Sequence, residues 1–246
     1  MTSRPGGPAE LVAAIVPAAG RGERLGPGAP KALRLLGGVP LLVHAVRNLA
    51  AARLVDLVVV AAPPDQVTAV QALLTDHHTG ATLHVVPGGS TRRQSVRAAL
   101  AALAALPDAV GVVLVHDAAR PLAPVELIDA VASAVRAGAD AVVPGLPVTD
   151  TVKRVDGDIV TETVDRSALR SVQTPQGFRR TVLEEAHLDL SDGGITDDAG
   201  LVERAGYSVV VVPGAEEAFK VTRPLDLVLA EAVLARRRSG GVGGVR

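Results

Sequence analysis

Short Val-rich apolar runs recur at residues 11–16, 55–61, 82–86, 110–116 and 139–143, each closed by Pro, Gly or Asp, with helical periodicity at 41–52, 65–75, 90–106 and 124–137 between them. Runs of this length predict strands, and apolar residues three and four apart predict helices. Strand–helix repetition requires right-handed crossovers, which give an α/β fold with a mostly parallel sheet covered on both faces. Such sheets hold ligands at the carboxyl ends of their strands. Loops that follow strands are therefore candidate sites, and loops that follow helices mostly are not.

The rhythm breaks after Pro144. Residues 146–175 alternate Val and Thr around Asp156-Gly157, a hairpin signal, and hold too few apolar residues to fold unsupported. They predict a protruding arm that leans on its own domain or on a second subunit, the latter being favoured. Helices are expected at 179–188, 197–205 and 224–236, with strands at 207–212 and 219–221. At 246 residues and 48% hydrophobic, the chain can bury one full core. The reading is one domain over 11–236 with its arm, flanked by a disordered segment at 1–10 and a disordered basic, Gly-rich tail at 237–246.

The formal net charge of −1 argues against a general nucleic-acid or membrane-surface binder, so any basic site must be local. Apolar runs stay short of the ~20 residues of a membrane span. The first residues lack a signal-peptide pattern, and a soluble cytoplasmic protein is expected. Absence of Cys excludes disulfides, thiolate metal sites and a Cys nucleophile. Of the 25 basic residues only Lys31, Lys153 and Lys220 are lysine. Lysine is a compact point charge and arginine a broad planar fork, so a site that needs a small cation against phosphate can select Lys. Chance survival explains the count equally well, and the neighbouring residues decide.

After the first strand comes Pro17-Ala18-Ala19-Gly20-Arg21-Gly22-Glu23-Arg24, continuing to Pro30-Lys31. Glycines let backbone N–H groups cradle an anion, and Arg24 and Lys31 add charge. No Gly-Lys-Ser/Thr follows, and neither a third Gly nor a ribose-binding acid stands where a dinucleotide site needs one. A nucleoside triphosphate loop is the reading. After the third strand, Gly88-Gly89 permits close approach to a base or sugar and Ser95 offers a hydroxyl; an ordinary helix start capped by Ser90 is the alternative. After the fourth, Asp117 suits Mg²⁺ held jointly with substrate phosphates. Arg120 either pairs with Asp117 or binds a second phosphate. His116 has no nucleophile beside it and is not assigned to catalysis.

Pro17-Ala-Ala-Gly-x-Gly-x-Arg24, Pro30-Lys31, Gly88-Gly89-x-x-Arg92-x-x-Ser95 and His116-Asp-Ala-Ala-Arg-Pro121 together resemble the 2-C-methyl-D-erythritol 4-phosphate cytidylyltransferases of non-mevalonate isoprenoid biosynthesis. The likeness continues through Asp150-Thr151-Val152-Lys153-Arg154, Val164-Asp165-Arg166, Gln173-Thr174-Pro175-Gln176-x-Phe178, Ile195-Thr196-Asp197-Asp198-Ala199 and Lys220-Val221-Thr222, in order over residues 11–235. It implies a Rossmann-like nucleotidyltransferase sheet flanked by helices. It also implies CMP transfer from CTP to the phosphate of a sugar alcohol, with release of pyrophosphate.

By that resemblance Arg24 and Lys31 grip the triphosphate and its transition state, and Lys220, the third catalytic cation, sits close to the phosphates. Ala18, Ala19, Gly20, Gly22, Gly88, Gly89 and Ser95 contact CTP, Asp117 holds Mg²⁺, and Arg120, Thr196, Thr151 and Arg166 hold methylerythritol phosphate. Thr151 and Arg166 would come from the neighbouring subunit of a homodimer built by arm exchange. Ala32, Arg170, Gly200 and Ala218 stand where the family usually has Gln, Trp, Ser and Asn; none removes a charge assigned to chemistry. The rival readings are a ribitol-5-phosphate cytidylyltransferase and a non-catalytic nucleotide-binding regulator.

Overall fold

The first apolar run forms β1 (Leu11–Pro17), and residues 12 to 16 within it are wholly buried. A strand with no polar side belongs at the centre of a two-faced sheet. In the computed structural model, which describes residues 10–20, 30–77, 81–106, 110–188 and 194–240, β1 lies in the interior of the main sheet, paired on both sides. A 3-10 turn at Lys31–Leu33 and a small hairpin, β2 (Leu35–Leu36) and β3 (Val39–Pro40), lead into α1 (Leu41–Ala51). There follow β4 (Leu57–Ala62), α2 (Val67–Asp76), β5 (Thr82–Pro87), α3 (Arg92–Ala104), β6 (Val110–Val115), α4 (Val125–Arg136) and β7 (Ala141–Pro147). The arm strands are β8 (Val152–Asp156) and β9 (Ile159–Val164). Beyond them come β10 (Arg170–Val172), β11 (Gln176–Arg179), α5 (Arg180–Ala186), α6 (Asp198–Arg204), β12 (Val209–Pro213) and α7 (Pro224–Gly240).

The main sheet runs β10-β7-β11-β6-β1-β4-β5, with β12 also paired to β7. The pairs β1/β4, β1/β6, β4/β5 and β7/β12 are parallel, while β10 and β11 run antiparallel to their neighbours. Leu42, Val46, Val70, Ile128 and Val131 from α1, α2 and α4 pack on one face with Val12, Ala14 and Val58. Val96, Leu100, Leu103, Leu183 and Val202 from α3, α5 and α6 cover the other, against Ala13, Ile15 and Val113. Complete burial of each Val or Leu contributes roughly 1.5–3 kcal/mol, and Phe178 is the one aromatic among the buried residues of either cluster. The order reverses at β1, whose neighbours are β4 on one side and β6 on the other. A crevice therefore opens where the loops after β1 and β6 part.

Three expectations need correction. The sheet does not stop at Val143: β7 continues through Pro144 and Gly145 to Pro147, and β10 pairs with its last residues, Arg170 opposite Pro147. The Gln173 N–H donates to the Pro144 carbonyl at 2.8 Å. A strand residue's N–H and C=O point to the same side, so the missing Pro144 N–H faces the break between β10 and β11, where the ladder is interrupted. The free arm is thus shorter than 146–175 and consists of β8 and β9, paired only with each other around Gly157 (φ +55°) and Asp158. Residues 219–221 form no strand; the Val221 N–H makes a single bond to the Ala119 carbonyl at 2.8 Å. The last helix runs to Gly240, four residues into the expected tail, because Arg236 and Arg237 both bond Glu217. Residues 241–246 and 1–9 lie outside the described residues. Among the described residues no helix is long and apolar enough to cross a membrane.

Candidate active site

Pro17 ends β1, and the chain turns into Ala18, whose N–H donates to the Ala61 carbonyl at 2.8 Å. The loop after β5 lies directly against it. A Cβ on Gly88 would stand 2.7 Å from Ala19 Cβ, 2.9 Å from Ser95 Oγ and 3.2 Å from the Ala62 carbonyl. Only glycine fits there. Ser95 is buried; its hydroxyl donates to the Thr91 carbonyl at 3.0 Å and accepts from the Gly89 N–H at 3.2 Å. It holds the glycine turn in shape while facing the cleft. The cap of α3 is Thr91, which accepts from the Gln94 N–H at 3.1 Å, and not Ser90, whose hydroxyl donates to Gln94 Oε1.

Across the crevice, His116 and Asp117 leave β6. His116 is fully buried, and burial lowers its pKa from 6.5 to about 4. As a neutral ring it donates from Nε2 to the Arg120 carbonyl at 3.2 Å and accepts at Nδ1 from the Thr174 hydroxyl at 3.1 Å. Thr174 Oγ1 in turn accepts from the Asp117 N–H at 3.0 Å, so His116 pins the backbone under Asp117 rather than moving protons. The unfolded chain takes up a proton near pH 6.5 that the folded ring refuses until about pH 4. Native stability should therefore fall between those values by roughly 3 kcal/mol in full. His116→Gln should flatten that part of the Tm–pH curve, and an unchanged slope would contradict the assignment.

The Asp117 carboxylate meets Lys220 Nζ at 2.7 Å through Oδ2 and Arg92 Nε at 3.3 Å through Oδ1. Burial alone would raise its pKa, but Arg92 and Lys220 override burial and hold it well below the usual carboxylate range. The carboxylate is thus ionised throughout the physiological range. Lys220 reaches it because the Val221–Ala119 bond draws the segment before α7 onto the β6 loop. Lys31, the first residue of the 3-10 turn, lines the same cleft together with Ala18, Ala19, Gly20, Ser95, Asp117 and Lys220. Arg24 and Gly22 lie outside the described residues.

Thr196 is exposed in a second cleft, beside Thr91, Arg92, Ile195 and Asp198. The remaining predicted contacts line neither cleft within one chain. Arg120 does not pair with Asp117: its guanidinium donates to the Ala218 carbonyl at 2.7 Å and to the Val172 carbonyl at 3.3 Å. Thr151, just before β8, and Arg166, in the turn after β9, are exposed at the base of the arm, and Arg166 donates to the Thr149 carbonyl. Two residues that carry much of the electrostatics were not singled out in the sequence reading, Arg92 and Asp198. Both stand inside the quoted motifs, but nothing in the spacing puts residue 92 against 117 and 198.

Among the described residues no group of three or more His, Asp and Glu side chains could enclose a metal. One ionised, partly exposed carboxylate fits Mg²⁺ only where phosphate oxygens complete the shell, as that ion ordinarily binds. The cleft therefore has the donors for a polyphosphate: a small-residue wall, two lysines and one hard oxygen ligand. Among the described residues that line it, no serine–histidine pair or carboxylate pair stands ready for nucleophilic or acid–base work.

Residues 12–236 match the family model of 2-C-methyl-D-erythritol 4-phosphate cytidylyltransferase. The enzyme of that name from Streptomyces coelicolor is 60% identical over 92% of this chain and 86% of its own length. The one from Streptomyces avermitilis is 58% identical over 96% of both chains. The crystal structure of the Thermus thermophilus enzyme superposes with a TM-score of 0.71 at 39% identity, covering 92% of this chain and 99% of that one.

Proposed function

The chain belongs to the 2-C-methyl-D-erythritol 4-phosphate cytidylyltransferase family, and on that premise we propose how its cleft performs CMP transfer from CTP to methylerythritol phosphate. A phosphate oxygen of the polyol substrate attacks the α-phosphorus of CTP. The bond from the α-phosphorus to the bridging oxygen breaks, and pyrophosphate leaves with the electron pair. The nucleophile is ionised near pH 7 and needs no general base, which agrees with a neutral, doubly hydrogen-bonded His116. Catalysis is then positioning and charge neutralisation. The observation that carries the reading is the convergence of Lys31, Lys220 and Asp117, from three distant segments, on one crevice walled by Ala18, Ala19 and Gly20.

Lys31, Lys220 and Arg24 neutralise the triphosphate, and the Gly88–Gly89 turn with Ser95 seats cytosine. Asp117 would hold Mg²⁺, which, when bound, draws charge from the phosphate oxygens. The arm supports a homodimer, because Val155, Ile159 and Val160 are exposed on an isolated two-stranded ribbon. Such a ribbon is marginal alone. A partner that covers these side chains would add roughly 1.5–3 kcal/mol for each one fully buried. Thr151 and Arg166 of the partner subunit would then reach the polyol phosphate beside Thr196 and Arg120.

Arg166→Ala should raise the KM for methylerythritol phosphate on the order of tenfold to a hundredfold and leave that for CTP nearly unchanged. Equal effects on both would contradict the arm as a clamp. The reaction itself is tested by phosphorus NMR of CTP, Mg²⁺ and methylerythritol phosphate with the enzyme. New diphosphodiester and pyrophosphate signals are expected, and persistence of intact CTP would overturn the proposal.

A further inference from the structure

Arg92 is the residue common to the two clefts. It stands with Asp117 and Lys220 on the wall of one and with Thr196 and Asp198 on the wall of the other. Its guanidinium is held unequally. Nη1 donates to Asp198 Oδ2 at 2.6 Å, whereas Nε reaches Asp117 Oδ1 at 3.3 Å. Asp198 is 1% exposed and is itself fixed, since its other oxygen meets the Nε2 of buried His187 at 3.0 Å. Burial would raise the Asp198 pKa, but Arg92 and His187 hold it down, so the anchor is an anion. The Arg92 side chain itself is 31% exposed, open toward the clefts.

A buried anion is costly unless paired, and this one is paired to a single arginine at the border of the two clefts. We propose that Arg92 is a catalytic residue that binds the incoming phosphate monoester of the second substrate. In this role Asp198, backed by His187, is a positioning residue. The phosphate replaces Asp117 at the long Nε contact, while the short Nη1 contact keeps the guanidinium in place. The fork geometry matters: one plane serves the anchor on one side and a phosphate on the other, which a lysine cannot do. The need for such a group is electrostatic. The reaction brings a dianionic monoester against a polyanionic triphosphate, and a fixed cation between them lowers that repulsion without reorganisation.

The inference rests on the cytidylyltransferase reading, and wild-type turnover of CTP with methylerythritol phosphate tests that reading first. Given wild-type turnover, steady-state kinetics on Arg92→Lys should show the KM for the polyol phosphate raised on the order of tenfold to a hundredfold, with the KM for CTP within about threefold of wild type. Asp198→Asn should act in the same direction, and the double variant should be no worse than Arg92→Lys alone, because the two residues act as a unit. Equal rises in both KM values, an unchanged polyol-phosphate KM, or additive losses would overturn the proposal. If Asp198→Asn fails to fold by circular dichroism, the KM split in Arg92→Lys decides, since that side chain is partly exposed.

Discussion

Asp117→Asn is expected to lower kcat/KM by about 10²–10³-fold, the usual cost of removing one preorganised charge from a transition-state site. The carboxylate faces Lys220 at 2.7 Å and Arg92 at 3.3 Å and is held ionised by both. The amide keeps the shape but not the charge. It is a poor ligand for a hard cation that must be shared with phosphates, and it leaves two cations without the anion between them. The loss should lie mainly in kcat and should not be recovered by excess Mg²⁺. Pyrophosphate release measured across a Mg²⁺ series checks this. A folded variant within tenfold of wild type at every Mg²⁺ concentration would remove Asp117 from the chemistry.

Lys31→Arg is expected to cost about a hundredfold or more in kcat, although the charge is preserved. Lys31 begins a tight 3-10 turn on the wall of a cleft that Ala18, Ala19 and Gly20 also line. A planar guanidinium is wider, and its five donors lie in a fixed fork. It would displace the triphosphate from the short wall that the small residues create. The control is Arg53→Lys, at a side chain 86% exposed that pairs with Asp129, which should leave turnover within about twofold. Near-normal turnover by folded Lys31→Arg would defeat the compact-cation argument. Lys153 bonds Thr163 across the arm hairpin. Of the three lysines, then, Lys31 and Lys220 face the cleft and Lys153 supports the arm.

The centre of the fold was legible because its signal is local. Runs such as Val12–Val16 and Leu57–Ala62 are buried on both faces, and burial of that kind writes itself as unbroken Val, Ile and Ala. The loops after β1, β5 and β6 were legible for the same reason, since small residues and one carboxylate mark strand ends. What escaped depends on contacts between distant segments. Pro144 reads as a strand terminator until Gln173 and the gap beside it supply the context. Phe219–Val221 reads as a strand, yet its neighbour is a loop. The final helix outruns its apolar pattern because Glu217 gathers Arg236 and Arg237. The Arg92–Asp198–His187 chain is wholly tertiary, and each member alone is an ordinary polar residue in a helix or at its end.

The reaction assigned to this crevice joins CTP to the phosphate of methylerythritol. Its most direct test is initial-rate pyrophosphate release with CTP and Mg²⁺, offering methylerythritol phosphate and ribitol phosphate in parallel. Turnover is expected with methylerythritol phosphate at a kcat/KM far above that with ribitol phosphate. Preference for ribitol phosphate would contradict the substrate assignment, and no pyrophosphate from either would contradict the enzyme.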